Sequence, residues 1–346
     1  MRNLLSQPLH RRHVLQQGAL AVSGIAGASL VACSANNGNE IGTGAMPAAD
    51  NDYVPAPPLQ QRFMPAPELD LGGAGRVELP MADGARLYYW DTGGNGAALV
   101  MAHAGTGSAY VWGYQQQVFA AAGYRVVAYS RRGYRGSDTG PMDADNRALD
   151  WSGRPLDDIE ALVNHLGLDK FHLLGHAAGG GIANGYLKEH PDRILTSISV
   201  NALQSIAEDD WNRPMNSLRV PGSATELGAF SSNPAELREV GPSYRWANPA
   251  GLAAWIELEH TNRPVTVNHP AGVEVSWADV ESRPFPTLLI TGDADLYAPP
   301  SMYRYLHARV PNSELYVVPE SGHSVYWEQP ETFNGLVLSF LGRHSG

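Results

Sequence analysis

Four short stretches of this 346-residue chain carry residue types that could do chemistry. His103-Ala104-Gly105-Thr106-Gly107-Ser108 follows an apolar run. Leu173-Leu174-Gly175-His176-Ala177-Ala178-Gly179-Gly180-Gly181 crowds glycine and alanine around a histidine. Thr291-Gly292-Asp293-Ala294-Asp295-Leu296-Tyr297-Ala298-Pro299 holds two acids, and Ser321-Gly322-His323-Ser324 a further histidine. A carboxylate beside an imidazole makes a general base, which has only to come within about 3 Å of the proton it takes. Small-residue loops at strand ends expose backbone N–H groups to an oxygen that gains charge. Residue 177 is alanine, with no atom that attacks a carbonyl. Ser108, Ser130 and Ser324 are nearby hydroxyls whose ordinary role is hydrogen bonding within loops. There is no HExxH, no clustered Cys and His, and no Gly-rich dinucleotide fingerprint after the first strand, so no metal and no organic cofactor is expected.

These stretches need elements to position them. Arg76–Leu79 and Arg86–Trp90 alternate as two early strands joined at Asp83-Gly84, a good turn dipeptide. Ala97–Ala102 is a continuous apolar run of the kind buried on both faces. An amphipathic stretch from Tyr110 to Ala122 follows, then a strand at Tyr124–Tyr129. Helices are expected at Leu156–Leu166, Gly179–His190, Ser301–Arg309 and Pro330–Leu341. Further strands are expected at Phe171–Leu174, Ile194–Val200, Thr287–Ile290 and Leu315–Val318. Strands alternating with helices of this length imply an α/β fold, a mostly parallel central sheet with helices on both faces. Residues 203–283 interrupt the alternation and read as an inserted cap. Trp211, Trp246, Trp255 and Trp277 lie there, either as a small core of the insertion or lining an apolar cavity. Arg131, Arg132 and Arg135 read as a solvated loop, and His103 and His176 as structural neighbours rather than bases.

The Gly175–Gly179 turn matches the nucleophile elbow G-x-S-x-G at every position except the third, where Ala177 replaces serine. At this point the sequence resembles the α/β-hydrolase superfamily, over roughly residues 76–344. The resemblance implies that His103-Ala104-Gly105 is the oxyanion loop, with Ala104 in a usual glycine position. It implies that the N–H groups of Gly105 and Ala178 form the oxyanion hole. The acid it implies is Asp295, with Asp293 the fallback, and the base is His323. The order of nucleophile position, acid and histidine is that of the superfamily.

Alanine at the elbow leaves three readings. A serine ester or lactone hydrolase has been disabled by an engineered replacement. Alternatively the alanine is native, and the Asp295–His323 dyad acts as base on water or on an acidic substrate proton, as in a cofactor-independent proton-transfer or lyase enzyme. Or the domain is a non-catalytic pseudohydrolase that binds a ligand. The expectation is an enzyme, a hydrolase of a small apolar ester, lactone or related carbonyl compound.

Net charge is −11, and among 24 basic residues only Lys170 and Lys188 are lysines, which argues against a nucleic-acid partner. A hydrophobic fraction of 43% with 17% charged residues is ordinary for a globular protein. Residues 1–33 read as an export signal. Arg2, Arg11 and Arg12 precede an apolar stretch, Ala19–Ala32, too short to span a bilayer core of roughly 30 Å. Arg11-Arg12 resembles a twin-arginine (Tat) signal, without its usual flanking Ser and Lys. Leu30-Val31-Ala32-Cys33 resembles a bacterial lipobox, which implies a lipoprotein acylated on Cys33 and anchored to a membrane. The expected location is the periplasm or cell surface of a bacterium. Residues 34–70, polar and proline-rich, read as a flexible tether to a domain at 71–346.

Overall fold

The computed structural model describes residues 64–79, 84–140, 144, 155–202, 204–208, 233–263 and 273–344. The export signal, Cys33, Asp83, Trp211 and much of the expected cap lie outside the described residues.

Eight strands form one sheet: β1 (Gly75–Glu78), β2 (Arg86–Asp91), β3 (Ala98–Ala102), β4 (Arg125–Tyr129), β5 (Phe171–His176), β6 (Ile194–Val200), β7 (Thr287–Gly292) and β8 (Ser313–Val318). Their spatial order is β1-β2-β4-β3-β5-β6-β7-β8. The β1–β2 and β2–β4 pairs are antiparallel and every other pair is parallel. The register brings the strand ends to one edge: Ala102 lies opposite Gly175, His176 opposite Val200, and Gly292 opposite Val318. All four candidate stretches leave the sheet along that edge.

The apolar runs split by strand period. Leu99 and Met101 of β3 face one core with Leu174, Leu288 and Ile290, while Val100 and Ala102 face another with Leu173 and Tyr129. Helices α1 (Gly113–Ala121) and α10 (Pro330–His344) supply Phe119, Phe333 and Phe340 to the first core. Helices α2 (Pro155–His165) and α3 (Ala178–Glu189) supply Ile159 and Tyr186 to the second. Helix α8 (Pro300–His307) covers β7 through Tyr303 and Leu306. The stretch from Tyr110 is not one helix: a short 3-10 turn, Ala109–Trp112, precedes α1.

Between β6 and β7 lie α4 (Ala235–Glu239), α5 (Pro242–Ala247), α6 (Pro249–Asn262) and α7 (Trp277–Glu281). Proline stands first in α2, α5, α6, α8 and α10, where its missing N–H breaks no helical bond. The three described tryptophans of this excursion differ from both readings above. Trp255 joins the main core, Trp277 packs with Tyr303 and Leu289, and Trp246 is exposed. The stretch 275–283 therefore belongs to the sheet domain rather than to a roof.

Two further expectations need correction. The expected tether extends to residue 70, but residues 64–70 lie along α1. Gln116 pairs with the backbone of Asp70, Gln117 donates to the Glu68 carbonyl, Tyr114 donates to that of Met64, and Ala66 and Leu69 pack on the core. Arg131 and Arg132 are buried, not solvated. Arg132 forms an ion pair with Asp158 at 2.9 Å, both side chains inside, because a buried guanidinium needs a carboxylate partner. No helix among the described residues is long and apolar enough to cross a membrane.

Candidate active site

The elbow lies between β5 and α3. Ala177 has φ 49° and ψ −115°, a left-handed conformation that costs on the order of 1 to 3 kcal/mol for a residue with a Cβ. It is held there by its N–H on the Val200 carbonyl at 2.9 Å and by its carbonyl, which accepts from Gly180 and Gly181. Glycine is required beside it for space. A Cβ on Gly175 would stand 2.6 Å from the Gly180 Cα, and one on Gly179 would stand 2.4 Å from the Ala102 carbonyl oxygen. That second approach seats the start of α3 against the end of β3, where the His103–Ser108 loop begins. Ala178, the first residue of α3, is exposed, and its N–H is a first-turn amide with no acceptor within the helix.

The loop after β3 has an enforced orientation. The Ala104 carbonyl accepts from His103 Nδ1 at 2.7 Å and from the Arg131 guanidinium at 2.9 Å. Across a trans peptide the following N–H points the opposite way, so these two bonds aim the Gly105 amide away from the interior. His103 Nε2 accepts from the Arg131 backbone N–H at 2.9 Å, which leaves the imidazole neutral with its proton on Nδ1. Tyr134 donates to the Gly105 carbonyl at 2.9 Å. Ser108 bonds Asn262 of α6 at 2.5 Å, and Asn262 donates to the Thr106 carbonyl, so the excursion is stapled to this loop.

Asp295 and His323 meet. Nδ1 of His323 lies 3.0 Å from each Asp295 oxygen. Oδ1 accepts the N–H groups of Tyr297 and Ala298, and Oδ2 accepts Nδ2 of Asn201 at 2.7 Å. Burial alone would raise this carboxyl, but the His323 charge and these bonds hold it below the usual carboxylate range. Burial likewise pulls His323 down, and the Asp295 charge and bond, with Glu239 and Glu328 beyond, push it above the ordinary histidine value. Asp293 is exposed at the surface. His176, which precedes Ala177, donates from Nε2 to the His323 carbonyl at 2.7 Å, and the two rings are 5.4 Å apart. Burial and the neighbouring His323 lower His176 to about 3, so it stays neutral. The histidine loop is thereby fastened to the elbow.

Several residues that hold this loop have no motif of their own in the sequence. Glu328 of α9 (Val325–Glu328) accepts the N–H groups of Gly322, Ser324 and Gly241 at 2.9–3.2 Å. Burial pushes its carboxyl up to about 7 against those bonds. Glu239, last in α4, accepts the His323 N–H on its backbone carbonyl at 2.9 Å, and its carboxylate accepts the Thr106 hydroxyl at 3.2 Å. Tyr297 lies 4.6 Å from the His323 ring. Glu328 stands five residues after His323, a nearness in sequence that could have flagged it. Glu239 and Asn201 carry no comparable signal. Ser130 accepts from the Ala109 N–H, and Ser108, Ser130 and Ser324 are all buried. A groove of about 670 Å³ opens beside Leu69, Tyr110, Arg135, Leu258 and Trp327, and neither Ala177 nor His323 lines it. Among the described residues no group of His, Cys, Asp and Glu is placed to hold a metal ion.

An eight-stranded, mostly parallel sheet covered by helices in this way has known counterparts. A model of the alpha/beta hydrolase family matches residues 99–336. The chain belongs to that family. It is 30% identical over 254 residues, 68% of this chain and 87% of the relative, to RutD of Caulobacter sp. (strain K31), which carries the name of a carbamate hydrolase. It is 28% identical over 265 residues, 72% and 88% of the two chains, to the 2-hydroxy-6-oxo-6-phenylhexa-2,4-dienoate hydrolase of Burkholderia cepacia. A thermophilic esterase from Thermogutta terrifontis superposes with TM-score 0.62 at 21% identity, over 79% of this chain and 99% of the esterase, a likeness of fold.

Proposed function

We propose that this α/β hydrolase cleaves a small apolar ester, lactone or related carbonyl compound by activating water directly, without an acyl-enzyme at residue 177. The carbonyl class extends to the carbamate and the 2-hydroxy-6-oxo dienoate named for two relatives. His323 is the base, and Asp295 orients it and stabilises its charged form. The N–H groups of Gly105 and Ala178 receive the oxygen that gains charge, an action that needs no side chain. The observation that supports this most is the Asp295–His323 pair fastened through His176 to a turn that keeps the elbow conformation while carrying only a methyl group. A domain that merely binds has no use for a buried imidazole backed by a carboxylate beside a strained strand-to-helix turn. In a serine protease, removing the serine costs about 10⁶ in kcat and leaves roughly 10³–10⁴ over water. Slow turnover is therefore expected.

The test is product formation from short-chain esters and lactones by the full chain, with intact-protein mass spectrometry during turnover. Product without any acyl or fluorophosphonate adduct supports water attack. Ligand binding with no product from any ester, lactone or carbamate contradicts it. The same proposal has the chain exported by residues 1–33 and held at a bacterial membrane by acylated Cys33. Mass spectrometry of the mature N-terminus tests this, and an unmodified Cys33 refutes it.

A further inference from the structure

Water attack creates a proton problem that a serine triad solves with one imidazole. The base must take a proton from water, and the leaving oxygen must receive one. A buried carboxyl lies on a residue bonded to both loops that carry the atoms involved. Glu239 is bonded through its backbone to the histidine loop and through its carboxylate to Thr106, the neighbour of Gly105. It is 6% exposed. The position is fixed by packing: Gly322, next to His323, lies so close to the Val240–Gly241 backbone that a Cβ on it would stand 2.5 Å from the Gly241 nitrogen. Glu328 ties the same two segments together by accepting from Gly241, Gly322 and Ser324.

Resting on the water-attack reading, we propose that Glu239 is the general acid of this site. As the water oxygen bonds to the carbonyl carbon, His323 Nε2 takes a water proton and the carbonyl becomes an oxyanion facing Gly105 and Ala178. When the bond to the leaving oxygen breaks, the Glu239 carboxylic acid gives its proton to that oxygen and becomes a carboxylate. The imidazolium proton then passes to Glu239, which restores both groups, and the net change is ester plus water to acid plus alcohol. Burial favours the protonated form that the step requires, partly offset by the His323 and Arg238 charges. The other groups facing His323 are Asp295 after β7, Glu328 on α9, His176 on β5 and Tyr297. Of these, Asp295 and Glu328 are fully engaged as acceptors of backbone and side-chain N–H groups, and His176 gives its Nε2 proton to a carbonyl.

The readout is leaving-group dependence, which a merely structural role would not move. Glu239→Gln should lower kcat/KM for an ethyl ester by about 10²–10⁴ and change a p-nitrophenyl ester, whose leaving group departs without a proton, by less than about threefold. Glu239→Asp should recover part of the ethyl-ester loss. Equal losses on both esters, or none on either, overturn the proposal while leaving water attack in place. A native chain inert to both esters contradicts the water-attack reading itself and removes the acid with it.

Discussion

The elbow at residues 175–180 and the histidine loop at residues 321–328 face one another, yet they are built on opposite principles. The elbow is held by shape. Its strained Ala177 and its glycines allow α3 to sit on the ends of β3 and β5, and it offers only backbone N–H groups. The histidine loop is held by charge. Asp295, Glu239 and Glu328 surround one imidazole, and two of the three accept the backbone N–H groups of the loop itself. The difference teaches where the chemistry resides. On the proposed reading, with no oxygen at the elbow, bond making falls to the region that moves protons and the other stabilises an oxyanion.

Changes to the charged region should have the largest effects on rate. His323→Ala is expected to reduce kcat/KM by about 10²–10⁴, the usual worth of a positioned base, and steady-state kinetics on one good substrate will show it. The pH profile comes next. The base works when neutral, and its surrounding carboxylates raise it, so kcat/KM for a p-nitrophenyl ester, whose leaving group needs no proton, should climb with unit slope to a pKa above the ordinary value of about 6.5 before levelling. An acid limb at or below that value would break the assigned surroundings of His323. In the shape-held region the expected cost is in stability. Gly179→Ala forces a methyl group onto the Ala102 carbonyl and should destabilise the fold by about 1–3 kcal/mol in urea titration. The smallest effect belongs to Ala177→Gly. Relief of the left-handed backbone is offset by the greater freedom of glycine in the unfolded chain, and turnover should stay within about twofold.

The two regions were also unequally legible in the sequence. Ala98–Ala102 is apolar throughout and Phe171–His176 and Thr287–Gly292 are mostly so, so parallel strands were readable, and chemistry-bearing residues at their ends followed. The Gly and Ala crowding of the elbow announces itself because few other turns demand it. The bracing of the histidine loop does not. Glu239 lies in Ala-Glu-Leu-Arg-Glu, a sequence indistinguishable from a solvated helix, and becomes buried only because the 239–241 segment folds back on Gly322. Arg131 and Arg132 look solvated for the same reason. Their burial depends on the Ala104 carbonyl and on Asp158, partners 27 and 26 residues distant in the chain. Contacts between residues far apart in sequence leave no periodic trace, and the β6–β7 excursion is held by such contacts.

The central claim is that a carboxylate-backed imidazole acts on water beside an elbow whose side chain takes no part. It is tested most directly by measuring kcat/KM for one short-chain ester with the native chain, Ala177→Gly and His323→Ala side by side. The account predicts equal rates for the first two and a loss of at least about a hundredfold for the third. A His323→Ala protein that hydrolyses the ester as fast as the native chain would contradict it.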